Sequence, residues 1–329
     1  MGTTNFDVIQ ANAIIGANVL TQGKIWHVKP GTGSDGNTGR SPNKALATLT
    51  KALSLATADQ NDVVLLYAQS NSAGSTTARV TTAGAAALDW NKNLVHLIGV
   101  NNNGFIGQRS RIAFDADFVT ATNLFTLSAA GCLIQNVHFF AGVVDTNPTG
   151  CFLMSGERNH IVNCHIAGIG DDANDISGAY SLKLTGHENL FERCVIGLDT
   201  IARGTQANSG LLVDGGATRN KFSDCLFTAF LEHATNHVHV RLNDTTAIDR
   251  WLWFHNCLFN YESANYAAAG TGVMKIPILT QGRVVVQNCM AYSDAHATAV
   301  KWDVDDSNRI FIDMNPTPAA DTAGIARAV

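Results

Sequence analysis

The sequence predicts an all-β solenoid, a single-stranded parallel β-helix of about 27–32 residues per coil with one helix at its N-terminal end. Three observations carry this. First, a short pattern returns six times between Leu133 and Tyr292: an apolar residue, two mostly polar residues, usually a cysteine, any residue, an apolar residue. It runs Ile134 to Phe139 with Val137 in the cysteine slot, then around Cys164, Cys194, Cys225, Cys257 and Cys289, at spacings of 27, 30, 31, 32 and 32 residues. A near-constant period of this size marks units that cannot bury their apolar faces alone and must stack. Second, each unit pairs that run with a short strand-like run such as Cys151 to Met154, Ser181 to Leu184 or Leu211 to Asp214, and joins the two by turns rich in Gly, Asn and Thr. Third, no half-unit places apolar residues at i, i+3, i+4 and i+7, as helical repeats require.

Taken in order, residues 1–23 form an apolar arm outside the repeat. Phe6, Val8, Ile9, Ile14, Ile15, Val19 and Leu20 are too many apolar residues for a solvated tail, and they are expected to bind a partner. Residues 24–61 form an entry unit of a strand (Ile25 to Val28), a Gly-rich loop and a helix. Gly31, Gly33 and Gly36 match a dinucleotide-binding fingerprint literally, but no helix opens at the last glycine and no βαβ unit follows, so the segment reads as a plain loop. Ser41-Pro42 reads as an N-cap and first helical position. Leu46, Leu49, Leu53 and Ala56 then share a face through Ala58, suited to closing the open end of the first coil. Residues 62–313 are the β-helix, with early strands at Val63 to Tyr67 and Val95 to Val100, and residues 314–329 are a C-terminal tail.

Within the coils, cysteine suits an inward column as a small residue that is comfortable when buried. Asn159, Asn189 and Asn220, five residues before a cysteine, and Asn136, Asn163, Asn256 and Asn288, one before the central slot, are expected to form turn columns bonded from coil to coil. With seven cysteines, an odd number, five of them in equivalent slots, the thiols read as reduced packing groups and not as a disulfide framework.

Composition excludes several classes. Charged residues make up 15% of the 329 and the net charge is −5, with Lys and Arg scattered, so no nucleic-acid partner is expected. No run of 18 apolar residues occurs and no secretion signal is evident, so no membrane span is expected.

The order of strand, Gly-Ser-Asp-Gly-Asn loop, Ser-Pro, Ala-Thr-Leu-Thr-Lys-Ala-Leu and Asp-Val-Val-Leu-Leu-Tyr, followed by Asn-Cys-x-Phe coils, resembles the pectin-lyase-like right-handed β-helix proteins from roughly Trp26 to Asp313. The resemblance implies the fold, shared by polysaccharide lyases, glycosidases, bacteriophage tailspikes and virion decoration proteins. The arm and short tail look most like a phage virion protein. That implies a protein assembled in the host cytoplasm and located on the virion, bound to capsid or tail proteins through residues 1–23, with a host surface glycan as a further partner. A homotrimer is expected because the lateral faces, with Trp251 and Trp253 at the subunit interface, are mostly uncharged and suited to burial, and no cofactor is expected. A polysaccharide depolymerase and a non-catalytic carbohydrate-binding β-helix are the alternatives.

Asp171, Asp172 and His187 echo the Asp-Asp and Gly-His of polygalacturonases, but that family's Asn-Thr-Asp and Arg-Ile-Lys runs are missing, so solvated loop acids are expected. Inverting hydrolysis would need carboxyl groups roughly 6.5–9.5 Å apart. Asp303, Asp305 and Asp306 offer oxygen ligands suited to calcium, though a charged end-loop explains them. His237 and His239 share a strand face and could meet a metal at a three-fold axis, with outward polar side chains over Val238 and Val240 as the simpler expectation. Trp251 and Trp253 flank Leu252 on one face, suited to burial by another subunit or to stacking on sugars.

Overall fold

A computed structural model of the chain describes residues 23–68, 80–82, 87–101, 104–114, 120–147, 149–232, 236–263, 272–293, 301–303 and 309–313. They wind into a right-handed parallel β-helix of three sheets. Sheet A has ten strands, from Ile25–Val28 to Ile310–Asp313. Sheet B has eight, from Val80–Thr82 to Met290–Ser293, and sheet C has eight, from Leu88–Trp90 to Lys301–Asp303. Each complete coil contributes one strand to each sheet and pairs in parallel with its neighbours, while Ile25–Val28 and Ile310–Asp313 add a strand to sheet A alone.

The repeating pattern sets this geometry because strand parity turns alternate side chains inward. In sheet A the inward column runs Ile134, Ile161, Phe191, Phe222, Phe254, Val286, Ile312, all 0–1% exposed. Phe191, Phe222 and Phe254 stack at 4.5 and 5.3 Å between centroids. Each buried phenylalanine contributes about 1.5–3 kcal/mol relative to an exposed one. Sheet A also buries outward residues at its first coils, where Val63, Leu65, Ile98, Leu133 and Val162 form a second apolar cluster.

Both tight corners place a residue in the left-handed region in the middle coils. Between sheets A and B it is Asn136, Asn163, Arg193, Asp224, Asn256 and Asn288, with φ from 49 to 59°. Asparagine and aspartate tolerate that conformation best. The next residue, Val137 or a cysteine, drops into the core. All seven cysteines are free and buried, and burial pushes the thiols of Cys151, Cys164 and Cys225 up.

Between sheets C and A the left-handed residue is Arg158, Glu188 or Arg219, and the asparagine after it is 1% exposed. These form a ladder: Asn159 Oδ1 accepts from Cys132 N at 2.8 Å, Asn189 Oδ1 from Asn159 N at 2.9 Å, and Asn220 Oδ1 from Asn189 N at 2.9 Å. Their amide groups donate to Ala129, Gly156 and Gly186 carbonyls.

The entry helix, α1, covers Leu49–Leu55 only and is shorter than the sequence predicts. Pro42–Lys44 is a separate 3-10 turn, and Leu46 bridges Val28 as an extended residue. The reason is Asp35, whose carboxylate accepts from Ala47 N, Thr48 N and Thr48 Oγ1. That arrangement holds Thr48 extended as the true N-cap, accepting from Lys51 N. Leu49, Ala52 and Leu53 still bury against the core of the first coils, as a closing helix should. The Gly-rich loop folds onto Leu46, where a side chain on Gly33 would collide with the Leu46 carbonyl.

In the middle coils, sheet B strands run long: Val195–Arg203, Leu226–Leu231 and Leu258–Ser263. Their far ends lie over the outer face of sheet C and bury Ala229, Leu231 and Tyr261 as a third cluster. This lateral layer has no counterpart in the repeat pattern.

Candidate functional site

The outer corner of sheet A carries a second ladder, one residue ahead of Asn159, Asn189, Asn220 and their register partners Leu252, Val284 and Ile310: Arg158, Glu188, Arg219, Trp251, Arg283, Arg309. The register that pairs Asn220, Leu252, Val284 and Ile310 places these side chains on successive coils, roughly 4.8 Å apart. In the first half both arginines are ion-paired to Glu188, and Arg158 also to Glu157. Arg158 Nε meets Glu188 Oε2 at 2.7 Å, and Arg219 Nε donates to Glu188 Oε1 at 2.8 Å; Arg219, with Arg158, holds the Glu188 carboxyl below the usual carboxylate range. Among the described residues, the second half gathers more arginines than carboxylates. Arg219, Asp249, Arg250, Trp251, Arg283 and Arg309 line an open cavity of about 440 Å³, in which Arg250 pairs with Asp249 at 3.1 Å.

Two residues along the strand, Trp253 extends this surface. Its ring lies 6.2 Å from Trp251 in edge contact, and Lys221 Nζ sits 4.1 Å from the ring centre, a cation–π contact that fixes the ring plane. Both tryptophans are part-exposed. Strand parity sets this orientation, because Leu252 and Phe254 point inward.

The other candidates are placed apart. Asp171 caps the 3-10 turn Asp172–Asn174 by accepting from Ala173 N at 2.9 Å, and Asp172 is exposed. These acids sit between sheets B and C, whereas His187 sits between sheets C and A. The strand Tyr180–Leu184 separates them, a gap on the order of 13–17 Å, so the polygalacturonase-like group does not assemble. Asp303 is buried and accepts from Ile276 N at 3.2 Å, a coil-to-coil tether. Asp305, Asp306 and the arm residues Phe6, Val8, Ile9, Ile14, Ile15, Val19 and Leu20 lie outside the described residues. Among the described residues, no three His, Cys, Asp or Glu side chains converge as a metal site.

His237 and His239 do share the outward face of sheet C, but they are 2% and 0% exposed. The chain's own Tyr261 covers them, so they cannot meet another subunit at an axis. His237 Nδ1 bonds Asn208 Oδ1 at 2.6 Å. Asn208 donates to Asp175, which also accepts from Gly204 N. Arg203, 1% exposed, completes this buried group, donating to the Ile169 and Ile201 carbonyls. Burial lowers the His239 pKa to about 3, against the Asn260 backbone, and Arg203 to about 10. The group ties the lateral layer together.

The arginine-rich corner is a surface feature that motif reading missed, and its signal was available. Aligning the repeats on their cysteines and reading six residues upstream returns Arg158, Glu188, Arg219, Trp251 and Arg283.

No family model matches the sequence, and no curated protein matches it. Among solved structures the chain is similar to a mutant pectin methylesterase in complex with a hexasaccharide, with a TM-score of 0.50 and 16% identity over 82% of this chain and 84% of that one. The fold is the pectin-lyase-like parallel β-helix. It is likewise similar to rhamnogalacturonan lyase, with a TM-score of 0.50 and 15% identity over 82% of this chain and 69% of that one. Geobacillus virus E2 ORF18 aligns at a TM-score of 0.44 and 11% identity, over 93% of this chain and 63% of that one. At such identities the pectin-lyase-like likeness is one of fold alone.

Proposed function

We propose that this chain is a glycan-binding structural β-helix of a bacteriophage particle, a capsid-decoration, head-fibre or tail protein. The observation that carries the glycan reading is the Trp251–Trp253 pair, with one ring clamped by Lys221 on a rigid sheet. Pre-oriented, part-exposed aromatic faces stack on sugar rings at low entropic cost. Charge around the pair argues against a subunit contact there, since interface cores are depleted in charged residues. A homotrimer would pack better on the outer face of sheet B, where Leu226, Leu258 and Met290 form a column and Met290 and Tyr292 are 62% and 48% exposed. Support for the virion setting comes from the apolar arm of residues 1–23 and the sequence resemblance to phage β-helices.

Glycan-array binding followed by tryptophan quenching tests the platform. Trp251→Ala and Trp253→Ala should each abolish quenching while leaving the β-sheet circular dichroism intact. Release of reducing ends from a bound polysaccharide would replace the structural reading with a depolymerase. Deleting residues 1–23 should leave a folded protein that no longer attaches to particles; full attachment without the arm would remove the docking role.

A further inference from the structure

We infer that residues 104–110 form an acid-released strap, held on the outer face of sheet B by His165 as a neutral hydrogen-bond acceptor. The segment lies between the strands Val95–Val100 and Arg111–Phe114 and reaches down the solenoid over later coils. Ser110 Oγ donates to the Leu66 carbonyl at 2.8 Å, Gln108 Nε2 to the Asn163 carbonyl at 2.8 Å, and Gly107 N to His165 Nδ1 at 3.2 Å. Gln108 and Ser110 are buried, whereas Phe105 and Ile106 stand 47% and 53% exposed. Gly107 has a φ of 65°, a left-handed turn that glycine makes without steric penalty. A Cβ there would lie 3.5 Å from Arg111 Nη2, which puts that guanidinium beside the strap.

Partner chemistry fixes the protonation of His165. Nε2 lies 2.9 Å from the Gly197 carbonyl, which only accepts, so Nε2 carries the hydrogen; Gly107 N only donates, so Nδ1 carries none. A proton added at Nδ1 therefore replaces the strap's hydrogen bond with two opposed donors. The surroundings do little to hold the cation. His138 stacks on the His165 ring at 4.5 Å with planes 4° apart, and neither of its own ring nitrogens has a hydrogen-bond partner among the described residues. Arg111 adds positive charge beside both rings, while Asp199, which is exposed, acts in the cation's favour. Arg109 on the strap itself is also exposed. Burial is the main cause holding His165 at a pKa of about 4, against about 6.5 once the ring is free. The closed strap thus binds fewer protons than the open one. Closure is complete in its effect above pH 6.5 and weakens as pH falls toward 4, by up to about tenfold per pH unit. In register, His165 continues through Val195 to Leu226, Leu258 and Met290, so the switch sits at the head of the face suited to a second copy.

Hydrogen exchange of the full chain tests this, read by mass spectrometry on strap peptides and corrected for the intrinsic pH dependence of exchange. Between pH 7 and pH 5, protection of the strap should fall by roughly tenfold or more, while the Tyr180–Leu184 strand keeps its own. His165→Gln should hold the strap closed at both pH values, because a glutamine amide donates to Gly197 and accepts from Gly107 without titrating. His165→Leu should leave it open at both. The assignment is overturned by strap protection that is absent at pH 7, unchanged at pH 5, lost only together with the Tyr180–Leu184 strand, or lost equally in His165→Gln. Should the leucine variant fail to fold, the wild-type and glutamine profiles decide the matter between them.

Discussion

Tyr261 lies nearly flat on His239, with ring centroids 3.9 Å apart and planes at 19°, and its hydroxyl donates to the Gly272 carbonyl at 2.9 Å. The pair pins the end of the Leu258–Ser263 strand to the outer face of sheet C. Tyr261→Ala should therefore cost about 3–5 kcal/mol, as for any large buried ring, whereas Tyr261→Phe should cost about 1 kcal/mol for the lost hydrogen bond. Urea unfolding midpoints measure both. An unchanged midpoint for the alanine variant would mean that the strand end is not docked.

Acid should unfold the protein early. Burial is the main cause holding His27, His96 and His165 at pKa values of about 4 and His239 at about 3, with His138 and His237 also well below the ordinary range. The unfolded chain titrates these groups near 6.5. Between pH 6.5 and 4 it therefore binds more protons than the folded chain, and stability falls as pH falls, by up to about 1.4 kcal/mol per pH unit for each histidine. Melting temperature should be flat above pH 7 and drop steeply below pH 6. His239→Phe should flatten the slope; a wild-type profile level down to pH 4 would refute the buried-neutral assignment.

Removing one rung of the asparagine ladder should be felt on both neighbouring coils. Asn189→Ala takes the acceptor from Asn159 N and the donor from the Gly156 carbonyl, at about 1–3 kcal/mol for each buried group left unpaired. Exposed Asn91→Ala is the control, expected within about 0.5 kcal/mol of wild type. Equal effects in thermal melts would show that the ladder contributes no more than a surface asparagine.

The thiol column should be inert until the stack opens. Cys164, Cys194, Cys225, Cys257 and Cys289 should react with Ellman's reagent only in denaturant, and Cys225→Glu should abolish folding, since its carboxylate would sit without a counter-ion between Cys194 and Cys257. Rapid labelling of the native protein would reverse the inward assignment of this corner.

What could be read from sequence, and what could not, divides along physical lines. Coil period, cysteine column and asparagine turns were legible because every coil meets the same local demand: one left-handed residue, then one small buried side chain. Helix length was misread because Ser41-Pro42 is a good local start, while the competing contact from Asp35 to Thr48 is tertiary. The alternation His237-Val238-His239-Val240 correctly assigned faces, but the cover comes from Tyr261, on the next coil of a strand lengthened beyond the repeat. The arginine corner went unread because its rungs are unlike in chemistry and become a group only when stacked.

The asparagine ladder also makes whole coils exchangeable. Asn189 and Asn220 occupy the same place 31 residues apart, each bonded to its neighbours in the same way. Excising residues 190–220 would join Asn189 to Lys221 with the ladder's stacking phase unbroken and shorten the rod by roughly 4.8 Å, at the cost of the Gly204 and Asn208 contacts that hold Asp175 and His237 in the lateral layer. Gain or loss of such modules therefore offers a molecular ruler, one that slides the Arg283–Arg309 edge nearer to or farther from the base in fixed increments, without redesign of either end.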